Sequence, residues 1–289
     1  MKILILCSGG DAPGMNRFIY NLSKFNEVYY ARAGFKGLVE GDIFPLDKNE
    51  AKKFKDEAGA IILSSRYPKF QERKYFFKGV KNAKDFDAVI VLGGNGSFHG
   101  AKELAENEVN AIFVPATIDN DVENSSYSIG FDSAVSQGVY AVKNSMPSIN
   151  AFCQACLFEV MGRKCSEIAK EVSKQVSADY TICEEKDLKF KAIEKLIKER
   201  RNKFLGTSII VRENIMPISE IAERLNNSFK EEVVKTQVVG RLQRGGKPTN
   251  KELSLVNKFS DAVISLIKSK NFNKQVLMDE NYNIKILDF

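Results

Sequence analysis

The amino-acid sequence predicts an α/β fold: a mainly parallel sheet covered by helices on both faces. Short apolar runs alternate along the whole chain with longer stretches whose apolar residues recur at helical spacing. Two of those runs end in Gly-Gly turns that lead straight into a helical pattern, at Gly9-Gly10 and Gly93-Gly94. No Pro/Ser-rich tether or low-complexity tract interrupts the rhythm. Strands that alternate with helices make a parallel sheet, and ligands of such sheets bind beyond the carboxyl ends of the strands.

Taken in order, Lys2–Leu6 reads as a buried strand, and Met15, Phe18, Ile19 and Leu22 mark one face of the helix after it. Further strands are expected at Glu27–Ala31, Ala60–Leu63, Ala88–Leu92 and Ala111–Val114, with helices at Ser97–Glu106 and Ser133–Asn144. The second half repeats the pattern, with strands at Cys156–Val160, Asp179–Cys183, Ser208–Arg212 and Val233–Val239. Its helices are expected at Arg163–Val176, Asp187–Arg200, Ile218–Asn227 and Lys251–Ile267.

With 289 residues, 44% hydrophobic and 28% charged, the chain has material for one large or two medium domains and cannot be disordered or collagen-like. No stretch approaches the ~20 apolar residues needed to span a bilayer. The apolar run after Met1-Lys2 is shorter than the ~7–15 residues of a signal-peptide core and enters a glycine turn, so a first strand in a cytoplasmic protein is expected. Lys+Arg 43 against Asp+Glu 37 gives a net charge of +6. The basic clusters (Lys52, Lys53, Lys55; Lys195, Lys198, Arg200, Arg201) are scattered and read as solvated helix faces, not as a nucleic-acid or membrane surface. The positive bias suits small anionic substrates. Five cysteines, Cys7, Cys153, Cys156, Cys165 and Cys183, argue for reduced thiols. Cys153-Gln154-Ala155-Cys156 lacks partners for zinc in a chain with a single histidine, His99, and it lies in a strand-like run where a redox motif would open a helix.

Four strand ends carry residues suited to chemistry. Ser8-Gly9-Gly10-Asp11-Ala12-Pro13-Gly14-Met15-Asn16 offers glycines that let an anion approach the backbone, followed by a helix N-terminus. Gly93-Gly94-Asn95-Gly96-Ser97 repeats that arrangement. Thr117-Ile118-Asp119-Asn120-Asp121 places two carboxylates two residues apart, one suited to accept a hydroxyl proton and the other to face a hydrated magnesium ion. Gly240-Arg241-Leu242-Gln243-Arg244-Gly245-Gly246 sets two arginines beside a Gly-Gly turn, a fork for phosphate.

The order of these segments, with Ser65-Arg66-Tyr67-Pro68, Gly130-Phe131-Asp132-Ser133-Ala134 and Glu159-Val160-Met161-Gly162-Arg163 between them, resembles the bacterial ATP-dependent 6-phosphofructokinases over nearly the whole chain. The resemblance implies two Rossmann-like α/β/α sandwich domains with the active site in the cleft between them. Residues 1–130 plus about 243–275 would form the ATP-binding domain, and about 131–242 plus 276–289 the sugar-phosphate domain. It implies a glycolytic kinase that moves the γ-phosphoryl of ATP, with Mg2+, to the 1-hydroxyl of fructose 6-phosphate, in a homo-oligomer that is a tetramer across the family. Asp119 would be the general base, Thr117 would hydrogen-bond the transferring group, and Arg163 and Arg66 would supply positive charge. Gly9, Gly10, Arg66, Tyr67, Gly94, Asn95, Gly96 and Ser97 fall on nucleotide-binding positions. Met161, Gly162 and Glu213 fall on sugar-contacting ones, and Arg244 belongs to the same substrate set. Pyrophosphate-using relatives carry Asp at the position of Gly96 and Lys at that of Ala116, so ATP is the expected donor.

This chain also departs from the family. The magnesium-side aspartate is Asn95, which leaves Asp121 as the principal metal ligand and predicts weak magnesium affinity or slow turnover. Positions that usually hold Arg, Arg and His in the sugar 6-phosphate pocket are Gln154, Lys235 and Arg241. The first of these reaches a neighbouring subunit's site in the family. Tyr20 and Lys24 stand where effector-site arginines would be, so control by ADP or phosphoenolpyruvate is not expected. Three alternatives stay open at this level. One is a kinase for another phosphosugar. The second is a catalytically impaired relative that binds nucleotide or sugar phosphate as a regulatory protein, motivated by Asn95 and Gln154. The third is a NAD or lipid kinase, against which the Thr-Ile-Asp-Asn-Asp and Gln-Arg-Gly-Gly segments argue.

Overall fold

Strand β1 (Lys2–Ser8) is the centre from which the first half of the chain is organised. Its residues Ile3 to Cys7 are fully buried, and burying each such side chain stabilises by about 1.5–3 kcal/mol. A strand buried on both faces needs parallel neighbours fed by helices, and the chain supplies them. After β1 come α1 (Met15–Leu22), β2 (Glu27–Ala31), α2 (Phe35–Glu40), β3 (Ile43–Pro45), α3 (Lys48–Phe54), β4 (Ser64–Ser65), α4 (Arg73–Ala83), β5 (Ala88–Gly93), α5 (Asn95–Glu106) and β6 (Ala111–Pro115). Then follow α6 (Phe131–Ala151), β7 (Ala155–Val160), α7 (Glu167–Val176), β8 (Tyr180–Ile182), α8 (Phe190–Arg201), β9 (Thr207–Arg212), α9 (Ile218–Phe229) and β10 (Val234–Val238). The chain closes with α10 (Leu242–Gly245), α11 (Asn250–Lys268), β11 (Lys274–Met278) and β12 (Ile284–Asp288). The structure, a computed structural model, describes residues 1–229 and 231–289.

The described residues divide into two units. The first comprises Met1–Ser133 and Arg244–Phe289, the second Ala134–Gln243. The first holds an eight-stranded sheet in the order β12-β11-β6-β5-β1-β2-β3, with β4 beside β1. It is parallel except at its two ends, where β3 runs antiparallel to β2 and β12 antiparallel to β11. Its core joins Leu4, Leu6, Val89, Val91 and Phe113 to helix residues such as Leu38, Val80 and Leu104. The second unit holds a wholly parallel four-stranded sheet, β10-β7-β9-β8. Leu157, Ile209 and Val211 of that sheet pack against Ile193, Ile197, Ile221 and Leu225.

Two expectations are corrected. Residues 276–289, expected with the sugar-phosphate domain, belong to the first unit. β11 continues the sheet from β6, Val276, Leu277 and Met278 are fully buried there, and Leu287 and Phe289 pack on the same core. Ala60–Leu63, expected as a strand, is a turn in which Leu63 is left-handed (φ 59°) and more than half exposed. Its polar groups are claimed by other segments: Ala33 N–H donates to Ile62 O (3.1 Å) and Ile61 N–H to Asn16 Oδ1 (2.8 Å). Only Ser64–Ser65, just beyond it, joins the sheet. The hairpin strands β11 and β12 and the segment α2-β3-α3, absent from the expected elements, fill the two ends of the large sheet.

Candidate active site

In the first unit, the ends of β1, β4, β5 and β6 gather most of the residues singled out in the sequence. Ser8 lies opposite Gly93 and Ser65 in the register. Ser97 Oγ, in the first turn of α5, donates to Ser8 O (3.1 Å), Gly9 N–H donates to Ser65 O (3.0 Å), and Ser64 Oγ donates to Gly9 O (3.1 Å). The two glycine turns and the Arg66 segment are therefore stitched together through main-chain groups. Ser97 is buried in this role, so it braces the turns and is not displayed to a ligand. Arg66 is exposed, and Tyr67 is half-buried against the core.

Gly10 lies directly beneath the guanidinium of Arg244. Arg244 Nη1 donates to Asp11 O (2.6 Å), and a Cβ on Gly10 would lie 2.6 Å from that same nitrogen. A guanidinium thus sits directly over the first glycine turn, giving it a permanent positive charge beside its amides. Gly94 is backed by Thr117, whose methyl carbon would be 3.8 Å from a Cβ there. Gly96 faces open space, with nothing within 4 Å of an added Cβ. Ala116, by contrast, is buried and donates its N–H to Gly93 O (2.9 Å). Of the two small residues, Gly96 is the one that leaves room at the surface.

The turn after β6 is held by its own asparagine. Asn120 adopts the left-handed region (φ 54°), which asparagine tolerates better than most residues. Its Oδ1 accepts from Ser128 N (2.8 Å) and Ser128 Oγ (3.1 Å), while Ser128 Oγ also lies 2.8 Å from Thr117 O. Asp119 is 4% exposed, its N–H donating to Thr117 Oγ1 (3.3 Å). Asp121 is exposed. Asn95 bridges to that segment: its Nδ2 donates to Asp121 O (2.9 Å), and its Oδ1 accepts from Glu123 N (3.4 Å). An aspartate there could accept from Glu123 but could not donate to Asp121 O.

The fit for magnesium follows from these donors. Among the described residues, no group of three His, Cys, Asp or Glu side chains is placed to hold a metal unaided. A magnesium ion carried on substrate phosphates keeps several waters and needs only one or two protein oxygens. The exposed Asp121 carboxylate could supply one of them, and the Asn95 amide oxygen, already shared with Glu123, could supply a second.

The second unit carries the remaining residues at two opposite edges of its sheet. At the carboxyl edge, Met161 N–H donates to Gln243 Oε1 (2.7 Å), while Glu213 Oε1 accepts from Gly162 N (3.1 Å) and Arg163 N (2.8 Å). Three consecutive amides are thereby oriented by side chains, and the Arg163 side chain is exposed. Burial, and then the nearby Glu213 charge, raise the Glu159 carboxyl above its ordinary value. At the amino edge, Gln154 precedes β7, and Lys235 of β10 pairs with Cys156. Six strand residues at ~3.3 Å each separate that edge from Arg163, so this unit does not bring Gln154 and Lys235 to Arg163 and Glu213. Lys235 is ion-paired with Glu232 (2.8 Å). Arg241 is exposed at the start of α10.

Sequence reasoning missed Glu252, Gln243 as a brace, and Arg212. Glu252 is fully buried in α11; Gly130 N donates to its Oε1 (2.9 Å) and Ser133 Oγ to its Oε2 (3.0 Å). The available signal for it was Thr249-Asn250-Lys251-Glu252, the Thr-x-x-Glu pattern of a helix start, and Thr249 does cap α11 by accepting from Glu252 N (3.0 Å). Burial pushes the Cys7 and Cys156 thiols up to about 12, so neither is a nucleophile near neutral pH.

Comparison with known proteins gives the family of the chain. Residues 2–267 match the family model described as Phosphofructokinase. The ATP-dependent 6-phosphofructokinase of Streptococcus sanguinis is 34% identical over 275 residues, covering 92% of this chain and 82% of its own length. The solved phosphofructokinase of Saccharomyces cerevisiae superposes with a TM-score of 0.85 at 22% identity over 99% of this chain, which spans only 44% of that longer chain. A pyrophosphate-dependent phosphofructokinase from Marinobacter aquaeolei superposes with a TM-score of 0.81 at 15% identity, covering 99% of this chain and 82% of that one, so the fold itself does not select the phosphoryl donor. From the strand ends that gather these turns to the match along almost its whole length, the chain belongs to the phosphofructokinase family.

Proposed function

We propose that the chain transfers the γ-phosphoryl group of ATP to the 1-hydroxyl of fructose 6-phosphate, with Mg2+, in the cytoplasm. The observation that carries this reading is the buried Asp119 beside Thr117, on a turn braced against two glycine turns with Arg244 over one of them. Phosphoryl transfer asks little covalent chemistry of a protein and much positioning and charge. Asp119 accepts the proton of the attacking hydroxyl, and Thr117 orients the phosphoryl oxygens. The first glycine turn from Gly10 onward (the Gly9 N–H being held by Ser65 O) and the Gly94–Gly96 turn direct main-chain amides at the donor phosphates. Arg66, Arg163 and Arg244 offset the charge that accumulates on the phosphoryl oxygens. Magnesium, bound through Asp121 and Asn95, would neutralise donor phosphate charge. Met161, Gly162, Glu213 and Arg241 contact the acceptor sugar phosphate.

The open space at Gly96 supports a nucleoside triphosphate as donor. A coupled assay with fructose 6-phosphate reads this directly: ATP is expected to support turnover, and pyrophosphate at the same concentration is not. Turnover with pyrophosphate alone, or none with either donor while nucleotide still binds, would reject the reading.

Asn95 sets a second expectation. Two unit charges ~4 Å apart at an effective dielectric of ~20 interact by about 4 kcal/mol, and each 1.36 kcal/mol is about tenfold in rate. Asn95→Asp should lower the half-saturating magnesium concentration by about tenfold and raise kcat, even though the bond to Asp121 O is lost. A magnesium titration with both parameters unchanged would rule out a metal-side role for this position.

The placement of Gln154 and Lys235 at the edge away from Arg163 supports a homotetramer in which they face a neighbouring copy's sugar phosphate. Sedimentation of the purified chain as a monomer at micromolar concentration would exclude it.

A further inference from the structure

Arg163 has a backbone that an arginine rarely adopts. Its φ is 53°, directly after Gly162 at φ 142°, and a left-handed non-glycine residue persists only where its surroundings impose it. The surroundings here are specific. Cys165 N–H donates back to Gly162 O (2.7 Å), and Glu213 accepts from the amides of Gly162 and Arg163. Those bonds fix the amide side of the turn. Among the described residues, the carbonyl side is held by Arg212, the last of β9. Its Nη1 donates to Arg163 O and to Glu213 O (3.1 Å), and its Nε donates to Cys183 O (2.8 Å). One guanidinium therefore ties together the carbonyls just beyond β7, β8 and β9. Val160 and Arg212 are partners in the register of β7 and β9, so the side chain starts from a rigid strand position.

We propose that Arg212 is a positioning residue for phosphoryl transfer: by holding the carbonyls of Arg163 and Glu213 it locks the left-handed turn that aims the Arg163 guanidinium. This rests on the reading above that Arg163 acts on the transferring phosphoryl group. The chemistry of the side chain fits the task. A planar fork with donors at fixed angles satisfies several carbonyls at once, whereas a lysine offers a point charge on a flexible stem. Without the fork, Arg163 O loses a charge-assisted partner and the turn can relax towards ordinary φ, which swings the Arg163 side chain. A displacement of about 1 Å in a catalytic group can cost about a hundredfold in rate.

The test is a double-mutant cycle on the full chain, using steady-state turnover with MgATP and fructose 6-phosphate. Arg212→Gln should lower kcat about ten- to a hundredfold, with KM for ATP within about twofold. In an Arg163→Gln background the same change should cost less than about threefold, because the group it positions is gone. If Arg163→Gln lowers kcat but Arg212→Gln costs the same factor in both backgrounds, or nothing in either, this inference fails and the role of Arg163 stands. If Arg163→Gln leaves kcat unchanged, the role given to Arg163 falls, and the inference with it. Should Arg212→Gln not fold, Arg212→Lys runs the same cycle, with an intermediate loss of kcat expected in the Arg163 background and a negligible one without it.

Discussion

Replacing Asp119 with asparagine is expected to lower kcat for ATP-dependent phosphorylation of fructose 6-phosphate by about 10²- to 10⁴-fold, the usual contribution of a positioned general base. At about 1.36 kcal/mol per tenfold step, that is about 3–5 kcal/mol of transition-state stabilisation. The substitution keeps the size of a side chain that is 4% exposed. The local bond from Asp119 N–H to Thr117 Oγ1 is a main-chain one, and Ser128 and Asn120 hold the rest of the turn. The change removes proton-accepting capacity while keeping the volume of the side chain. Affinity for MgATP should stay within about threefold, because the glycine turns are braced by Ser97, Ser64 and Arg244. Stopped-time turnover and calorimetric titration of the nucleotide measure the two quantities. A variant that turns over within threefold of the parent would remove Asp119 from the chemistry.

Glu252→Gln is expected to change how stability depends on pH, by about 3 kcal/mol between about pH 4.5 and about pH 8. Burial raises the Glu252 carboxyl to about 7, outweighing the hydrogen bonds from Gly130 and Ser133 that pull it down. The ordinary value is 4.5. Over that interval the folded chain binds a proton that the unfolded chain has released. Its stabilising contribution is complete below about pH 4.5 and is lost as pH rises through about 7. Charged groups beside this network include Asp132, whose Oδ2 accepts from Thr249 Oγ1 (2.5 Å), and Lys251, paired with Asp132 at 3.2 Å. Glutamine keeps the volume and an acceptor for Gly130 but does not titrate. Urea unfolding at both pH values should show the parent losing stability relative to the variant as pH rises. Parallel pH profiles for the two proteins would show that Glu252 does not titrate in this range.

The Glu252 position also matters for the site. Gly130, which donates to Glu252, lies where an added Cβ would meet Ala12 of the first glycine turn and would come within 3.3 Å of Ile118, between Thr117 and Asp119. A buried acidic side chain far along the chain thus holds the glycine that lies between these two turns.

Much of this protein was determined by the order of its residues. The runs at Lys2–Leu6, Ala88–Leu92 and Ala111–Val114 are apolar enough to be strands only in a sheet covered on both faces, and so they are. The glycine turns and Thr117–Asp121 were legible because small residues and paired carboxylates at strand ends have few other uses. Tertiary structure alone decided the rest. Ala60–Leu63 has the composition of a strand, but Asn16 and Ala33 claim its main-chain groups, and long-range hydrogen bonds override local propensity. Residues 276–289 joined the first sheet because β6 offered an open edge beside a core that Leu277 completes. Arg212 and Glu252 look like surface residues in a linear chain, and the bonds of Asn95 to the Asp121 segment are equally invisible there. What they do depends on which carbonyls and amides the fold brings within 3.5 Å of them, and hydrogen bonds between residues so far apart along the chain leave no periodic trace in the sequence.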